Sequence, residues 1–176
     1  ISLGFKQILS EPRPSFRTIF KNSSLKLEHV TTSNVVFTIG PRINAVGRLG
    51  DATRAVKFLT SETVEEAEEL MSILERENSN RKKIDSEIYL QAQNSYEAYK
   101  TVGIDEKEND DVAIVLHNPD WHPGVLGIIA SRMVEKYYRP SIILTTFNGF
   151  AKGSARSVSN FNIYEAIKRT SEECGA

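Results

Sequence analysis

The chain has 176 residues, 40% of them hydrophobic and 26% charged, which is enough apolar material for a sizeable core and too much for a disordered segment. Lys and Arg number 22 against 23 Asp and Glu, so any affinity for nucleic acid has to come from local patches and not from bulk positive charge. One cysteine, Cys174, excludes an internal disulfide framework and a cysteine-based zinc site, and no apolar run approaches the roughly 20 residues of a membrane span.

A reducing cytoplasm is the expected setting. The first residues, Ile1-Ser2-Leu3-Gly4, carry neither an initiator Met nor a signal-peptide pattern and read as the start of an excised fragment. Residues 1–50 read as short helices broken by Pro12, Pro14 and the Gly40-Pro41 pair, with Thr and Ser caps ahead of Val35-Val36-Phe37. Pro41 ends or kinks that helix and starts a new segment carrying Arg42, Asn44 and Arg48, expected on roughly one face. Gly47-Arg48-Leu49-Gly50-Asp51 reads as a turn. Asp51 then caps a helix over residues 52–59, with Ala55, Val56 and Leu59 as its apolar stripe.

Helical periodicity runs from Ser61 to about Tyr99, some 55 to 60 Å at about 1.5 Å per residue. Val64, Ala67, Leu70, Met71 and Leu74 form one stripe; Ile84, Ile88, Ala92, Tyr96 and Tyr99 form another. The stretch between them, residues 75–83, is almost wholly polar, as in a rigid connector packed at both ends and solvated in the middle. Two helices with a loop at residues 78–80 is the alternative. Residues 101–111 form an acidic loop that marks the second of two small lobes.

Val112-Ala113-Ile114-Val115-Leu116 is a short apolar run suited to a strand buried on both faces, and residues 124–138 repeat apolar side chains at helical spacing. Residues 141–146 make a second buried strand, and strand-helix-strand at this spacing implies a right-handed crossover with parallel pairing. Phe147-Asn148-Gly149-Phe150 is a tight turn into a third strand over residues 151–158. An amphipathic helix over residues 162–173 follows, with Ile163, Ala166 and Ile167 inward.

Two stretches carry chemistry. In His122-Pro123-Gly124-Val125-Leu126-Gly127-Ile128-Ile129-Ala130-Ser131-Arg132, Pro and Gly set a helix start whose exposed N–H groups favour an anion. In Lys152-Gly153-Ser154-Ala155-Arg156-Ser157, two hydroxyls and the planar fork of Arg156 match a phosphate. Each has a plainer reading. A loop histidine is most often an ordinary surface residue, Arg132 suits a salt bridge at least as well, and Gly153-Ser154 occurs in turns and bulges of edge strands. Arg42, Asn44 and Arg48 form a third cluster, two arginines beside a Gly-bounded turn. His29 and His117 lack metal-ligand spacing, and the carboxylates, mostly on the long helix, look like a solvated face. Without metal ligands or an acid-base pair, these residues read as able to bind a phosphodiester and not to cut it.

The run Gly40-Pro41-Arg42-Ile43-Asn44-Ala45-Val46-Gly47-Arg48-Leu49-Gly50-Asp51-Ala52, followed in order by the two stretches above, resembles the RecJ single-stranded-DNA-specific exonucleases of the DHH/DHHA1 phosphoesterase superfamily. The resemblance covers essentially the whole chain and implies an α/β fold. Residues 1–60 would be the end of a DHH catalytic domain, 61–100 a connector helix, and 110–176 the start of a DHHA1 substrate-binding domain with a small βαβ sheet. It implies a 5′-to-3′ exonuclease using manganese or magnesium, with roles in recombination and repair, whose strand lies in a cleft between two domains.

The metal ligands of such enzymes include an Asp-His-His motif, which is absent here, as is the later Gly-Gly-His element, so no metal is expected on this stretch and the second lobe reads as truncated. What the resemblance implies here is substrate contact: Ser154, Arg156 and Ser157 toward a DNA phosphate, His122 near them, and Arg42, Asn44 and Arg48 from the other domain. The family commonly has Gly where this chain has Ala155, which weakens close backbone approach at that point. A hydrolase of short oligonucleotides or cyclic dinucleotides from the same superfamily is the nearest alternative. A non-catalytic single-strand-binding module is another, disfavoured by near-neutral charge and few aromatic platforms.

Overall fold

Three prolines punctuate the start of the chain, and only two of them break it. In the computed structural model, which describes residues 2–26, 29–102 and 112–174, α1 (Ser2–Ser10) ends before Pro12, and Pro14 takes the first position of α2 (Pro14–Asn22). A missing N–H is harmless there, because the first amides of a helix have no intrahelical partner. Thr31 caps the turn α3 (Thr32–Asn34) through a reciprocal box: Thr31 N–H donates to Asn34 Oδ1 at 2.8 Å, and Asn34 N–H to Thr31 Oγ1 at 3.3 Å. The chain then passes through a π-helical turn, Val35–Ile39, straight into α4 (Gly40–Leu49).

The expected break at Gly40-Pro41 is therefore absent. Widening the helix by one residue ahead of Pro41, with Gly40 N–H donating to Val35 O, makes room for a ring that would otherwise strike the preceding turn. The turn expected at residues 47–51 is likewise shorter, since Gly47 and Arg48 remain helical and the chain leaves α4 only at Gly50. Asp51 Oδ1 accepts the Thr53 N–H at 2.8 Å ahead of α5 (Thr53–Thr60), and the Thr53 side chain, followed by this N–H, holds the carboxyl below its ordinary pKa. In α5 the inward residues are Ala55 and Phe58; Val56, placed in the apolar stripe by sequence, is 59% exposed.

The long helix is continuous: α6 (Val64–Val102) spans 39 residues, about 58 Å. Its first half belongs to a compact unit, Ile1–Lys82, and its second to another, Lys83–Ala176. In the first unit Ala67, Met71 and Leu74 close a core with Ile19, Phe20, Ile39, Val46 and Phe58. The middle of α6 is not the bare polar stretch that was expected. Asn78 is buried and accepts from Arg81, while Glu75 and Glu77 pair with Arg42 and Arg54. The acidic loop expected over residues 101–111 lies outside the described residues beyond Val102.

In the second unit, β1 (Ile114–His117), α7 (Leu126–Tyr137) and β2 (Ser141–Phe147) form a βαβ unit with β1 and β2 parallel, Ile114 opposite Ser141. β3 (Phe150–Arg156) returns antiparallel, completing a sheet of order β1-β2-β3. The β2–β3 turn has Asn148 and Gly149 at φ 53° and 80°, the paired left-handed conformation that a two-residue hairpin requires and that Asn-Gly tolerates best. β1 is an edge strand and not doubly buried: Ile114 is covered but Val115 is 59% exposed. α8 (Ile163–Glu173), capped by Asn162 Oδ1, also departs from expectation. It buries no residue; Ile163 and Ala166 are half-buried, and Ile167 lines an apolar cavity of about 380 Å³ with Ala113, Pro140 and Ile142.

α7 packs on β2 and β3, and the second half of α6 is tied to this unit by polar contacts around a buried Ile88, Ala92 and Tyr96. Trp121 Nε1–H donates to Gln91 Oε1 at 2.9 Å. Arg132 pairs with Asp85 at 3.2 Å and lies 3.6 Å over the Tyr89 ring, the plainer of its two readings. Tyr137 meets Tyr96 edge-on, and its hydroxyl donates to Glu97 at 2.7 Å. Desolvation, reinforced by Glu97, pushes the Tyr137 pKa up to about 12. The unfolded chain ionises this phenol near pH 10 while the folded chain resists, so stability is whole below pH 10 and declines from there toward pH 12. Tyr137→Phe should flatten that alkaline decline in melting temperature against pH; an unchanged profile would assign the decline to other groups.

The chain is thus α/β, mostly helical with a small mixed sheet. No helix among the described residues is long and apolar enough to cross a membrane.

Candidate functional site

β3 alternates its side chains, so Lys152, Ser154 and Arg156 share one face of the strand. That face meets α7. A methyl group placed on Gly127, in the first turn of α7, would stand 3.2 Å from Arg156 Nη2 and 3.2 Å from Ser154 Oγ. Arg156 Nη1 donates to Ser154 Oγ at 3.0 Å and to the Ala155 carbonyl at 2.8 Å, which folds the guanidinium back along its own strand. Arg156 is exposed and Ser154 half-buried. The two stretches singled out by sequence therefore come together here, joining a hydroxyl and a guanidinium at the start of a helix that no side chain caps. Such donors suit an anion with several oxygens.

Gly153 lets β3 lie close against β2. A Cβ there would overlap the Ile143 carbonyl oxygen of β2, so this position accepts no side chain without moving the strand. Lys152 Nζ sits 4.9 Å from the Phe147 ring centroid, further along the same face as Arg156.

His122 lies in the loop leading into α7, half-buried, with its Nδ1 accepting the Gly124 N–H at 3.1 Å. An accepting Nδ1 carries no proton, so in the neutral ring the hydrogen is on Nε2 and is available to an acceptor. Ser157 is engaged differently: its hydroxyl donates to Phe161 O at 2.6 Å and braces the turn that leaves β3.

The third cluster does not share one face. At about 100° per residue Arg42 stands about 160° from Asn44, because i and i+2 lie on opposite sides of a helix. Arg42 Nε donates to Glu75 at 2.6 Å and its Nη1 to Thr38 O at 2.6 Å, so its charge is matched within the unit. Asn44 and Arg48, one turn apart, are both exposed. The carboxylates of Glu75, Glu77 and Asp85, expected to be solvated, serve as partners of arginines. Gly127, second residue of α7, carries no local signal of its role, because a glycine in the first turn of a helix is commonplace. Among the described residues no three His, Cys, Asp or Glu side chains are grouped to hold a metal.

Residues 109–176 match the DHHA1 domain family. The chain is 36% identical over 168 residues to the single-stranded-DNA-specific exonuclease RecJ of Bacillus subtilis, covering 94% of this chain and 20% of that protein. It is also 31% identical over 160 residues to the RecJ of Escherichia coli, covering 89% and 27%. The chain is homologous to part of RecJ. Its fold superposes on the crystal structure of RecJ in complex with Mg2+ from Thermus thermophilus with a TM-score of 0.79 at 28% identity, over 96% of this chain and 24% of that one. A manganese-bound RecJ exonuclease structure matches with a TM-score of 0.74 at 29% identity, over 94% and 38%. The chain thus spans less than a third of the length of these curated RecJ proteins.

Proposed function

We propose that this chain is part of a 5′-to-3′ exonuclease that acts on single-stranded DNA with manganese or magnesium, in recombination and repair, and that it supplies strand-binding surface and not the metal centre. The observation that carries the reading is the joining of Ser154, Arg156 and the first turn of α7, stretches remote in sequence, in a chain whose relatives are single-stranded-DNA-specific exonucleases. Residues 1–60 correspond in this reading to the end of a DHH catalytic domain, 61–100 to the connector and 110–176 to a DHHA1 domain that binds substrate.

Ser154 and Arg156 hold a strand phosphate, with His122 Nε2–H as a further donor. Ser157 supports the turn behind them. Asn44 and Arg48 contact the strand elsewhere, and Arg42, matched by Glu75, contributes position more than net charge. A cytoplasmic location suits an exposed, lone Cys174.

The intact protein should release nucleotides from the 5′ end of single-stranded DNA with manganese present and lose this activity on chelation. Duplex DNA of the same sequence should resist. Hydrolysis confined to dinucleotides would replace this reading with the short-substrate one, and metal-independent binding without cleavage would replace it with a binding module.

A further inference from the structure

Gly127 is the second residue of α7 and brings no side chain to its packing. Glycine weakens a helix interior, yet here it lies in the first turn of a 12-residue helix with Leu126, Ile129 and Ala130 buried around it. Its α-carbon is half-buried. It faces β3, where a methyl group would press on Arg156 Nη2 and Ser154 Oγ at 3.2 Å each, with Ser154 Cβ at 3.8 Å. Both crowded atoms are polar, and both belong to the pair that carries the phosphate-binding reading.

The hydrogen bonds at this point have a direction. Arg156 Nη1 donates to Ser154 Oγ and Ala155 O, so the other terminal nitrogen, Nη2, is the one nearest α7. Ser154 Oγ accepts from Arg156, leaving its own proton to point to another acceptor, and accepting a charged donor makes that hydroxyl a stronger donor itself. A methyl group on residue 127 would make Arg156 Nη2 and Ser154 Oγ give by about a few tenths of an ångström, and a larger side chain would push the tip of Arg156 further from Ser154.

We infer that Gly127 is a positioning residue: by lacking a side chain it lets the Arg156 guanidinium and the Ser154 hydroxyl lie against the first turn of α7, so that both reach one phosphate of the strand. The inference rests on the reading that Arg156 and Ser154 bind such a phosphate.

It is tested on the intact protein with Gly127→Ala and Gly127→Val, measuring affinity by fluorescence anisotropy for a single-stranded oligonucleotide with a 5′-phosphate and for the same strand with a 5′-hydroxyl. Misplacing a binding group by a fraction of an ångström to an ångström erodes its contribution steeply, so the phosphate preference should fall about threefold for Ala and about tenfold or more for Val. The Ala melting temperature should hold or rise, because Ala favours a helix over Gly, which separates positioning from folding. The Arg156 side-chain Nε–H resonance should shift in the Ala variant without any ligand. An unchanged resonance, or a wild-type preference in both variants, would overturn the role of Gly127. A wild-type protein indifferent to the 5′-phosphate would instead exclude a terminal phosphate at the pair, and the resonance would then decide Gly127 by itself.

Discussion

Arg156→Ala in the intact protein should weaken binding of a 5′-phosphorylated single strand by about ten- to a hundredfold, since hydrogen bonds to charged groups contribute about 1.5–3 kcal/mol. The lower part of that range is expected if the contact stays open to water, for the guanidinium is exposed in the unliganded chain. The variant also removes the donor that polarises Ser154 Oγ, so Ser154→Ala on top of it should cost little more. Arg156→Lys keeps the charge and loses the fork, and should recover only part of the affinity. Loss of one phosphate contact should reduce the slope of log affinity against log salt by about 0.7. Titrations by fluorescence anisotropy at several salt concentrations measure both quantities, and affinity equal to wild type would remove Arg156 from the site.

Gly153→Ala should destabilise the second unit by about 3 kcal/mol, the upper end of what overpacking commonly does. The neighbour it would strike is the Ile143 carbonyl, a backbone atom held in the β2–β3 ladder, so no side-chain rotation can relieve the overlap. The lower entropy of the unfolded Ala chain offsets only about 0.4–1 kcal/mol. Trp121 is the only tryptophan of the chain, is 3% exposed and lies in the same unit, so its fluorescence during urea unfolding reports the loss directly. Because Ser154 follows Gly153 immediately, a shifted β3 should also weaken phosphate binding. A variant as stable as wild type would mean that β3 can move freely, and the site would lose its rigid support.

Much of the architecture was legible because its causes are local. Asn148-Gly149 announces a two-residue hairpin, since these residues tolerate the left-handed backbone best, and both adopt it. Thr31 announces a helix start three residues before its partner Asn34. The periodicity of α6 survives a polar middle because helix formation needs no apolar residue at every turn. The misreadings share another cause. Pro41 was expected to break a helix that a π-helical turn carries through, with Ile39 and Val46 buried in the core on either side of the ring. Val115 was read as buried because an apolar run does not say whether a strand is central or at an edge.

The candidate site divides the same way. Residue types alone marked Ser154, Arg156 and His122, because hydroxyl, guanidinium and imidazole beside glycine are chemistry that a single stretch displays. They could not mark the pairing of Arg42 with Glu75, 33 residues away, which turns an apparent free cation into a matched one. Nor could they mark Gly127, whose meaning lies in atoms of another strand. By itself the sequence determined most helix and strand segments and the β2–β3 hairpin turn, since backbone preference is a property of a residue and its near neighbours. Only the tertiary structure decided which charges are already satisfied and how closely α7 and β3 approach, since both depend on distances between segments that the chain order does not contain.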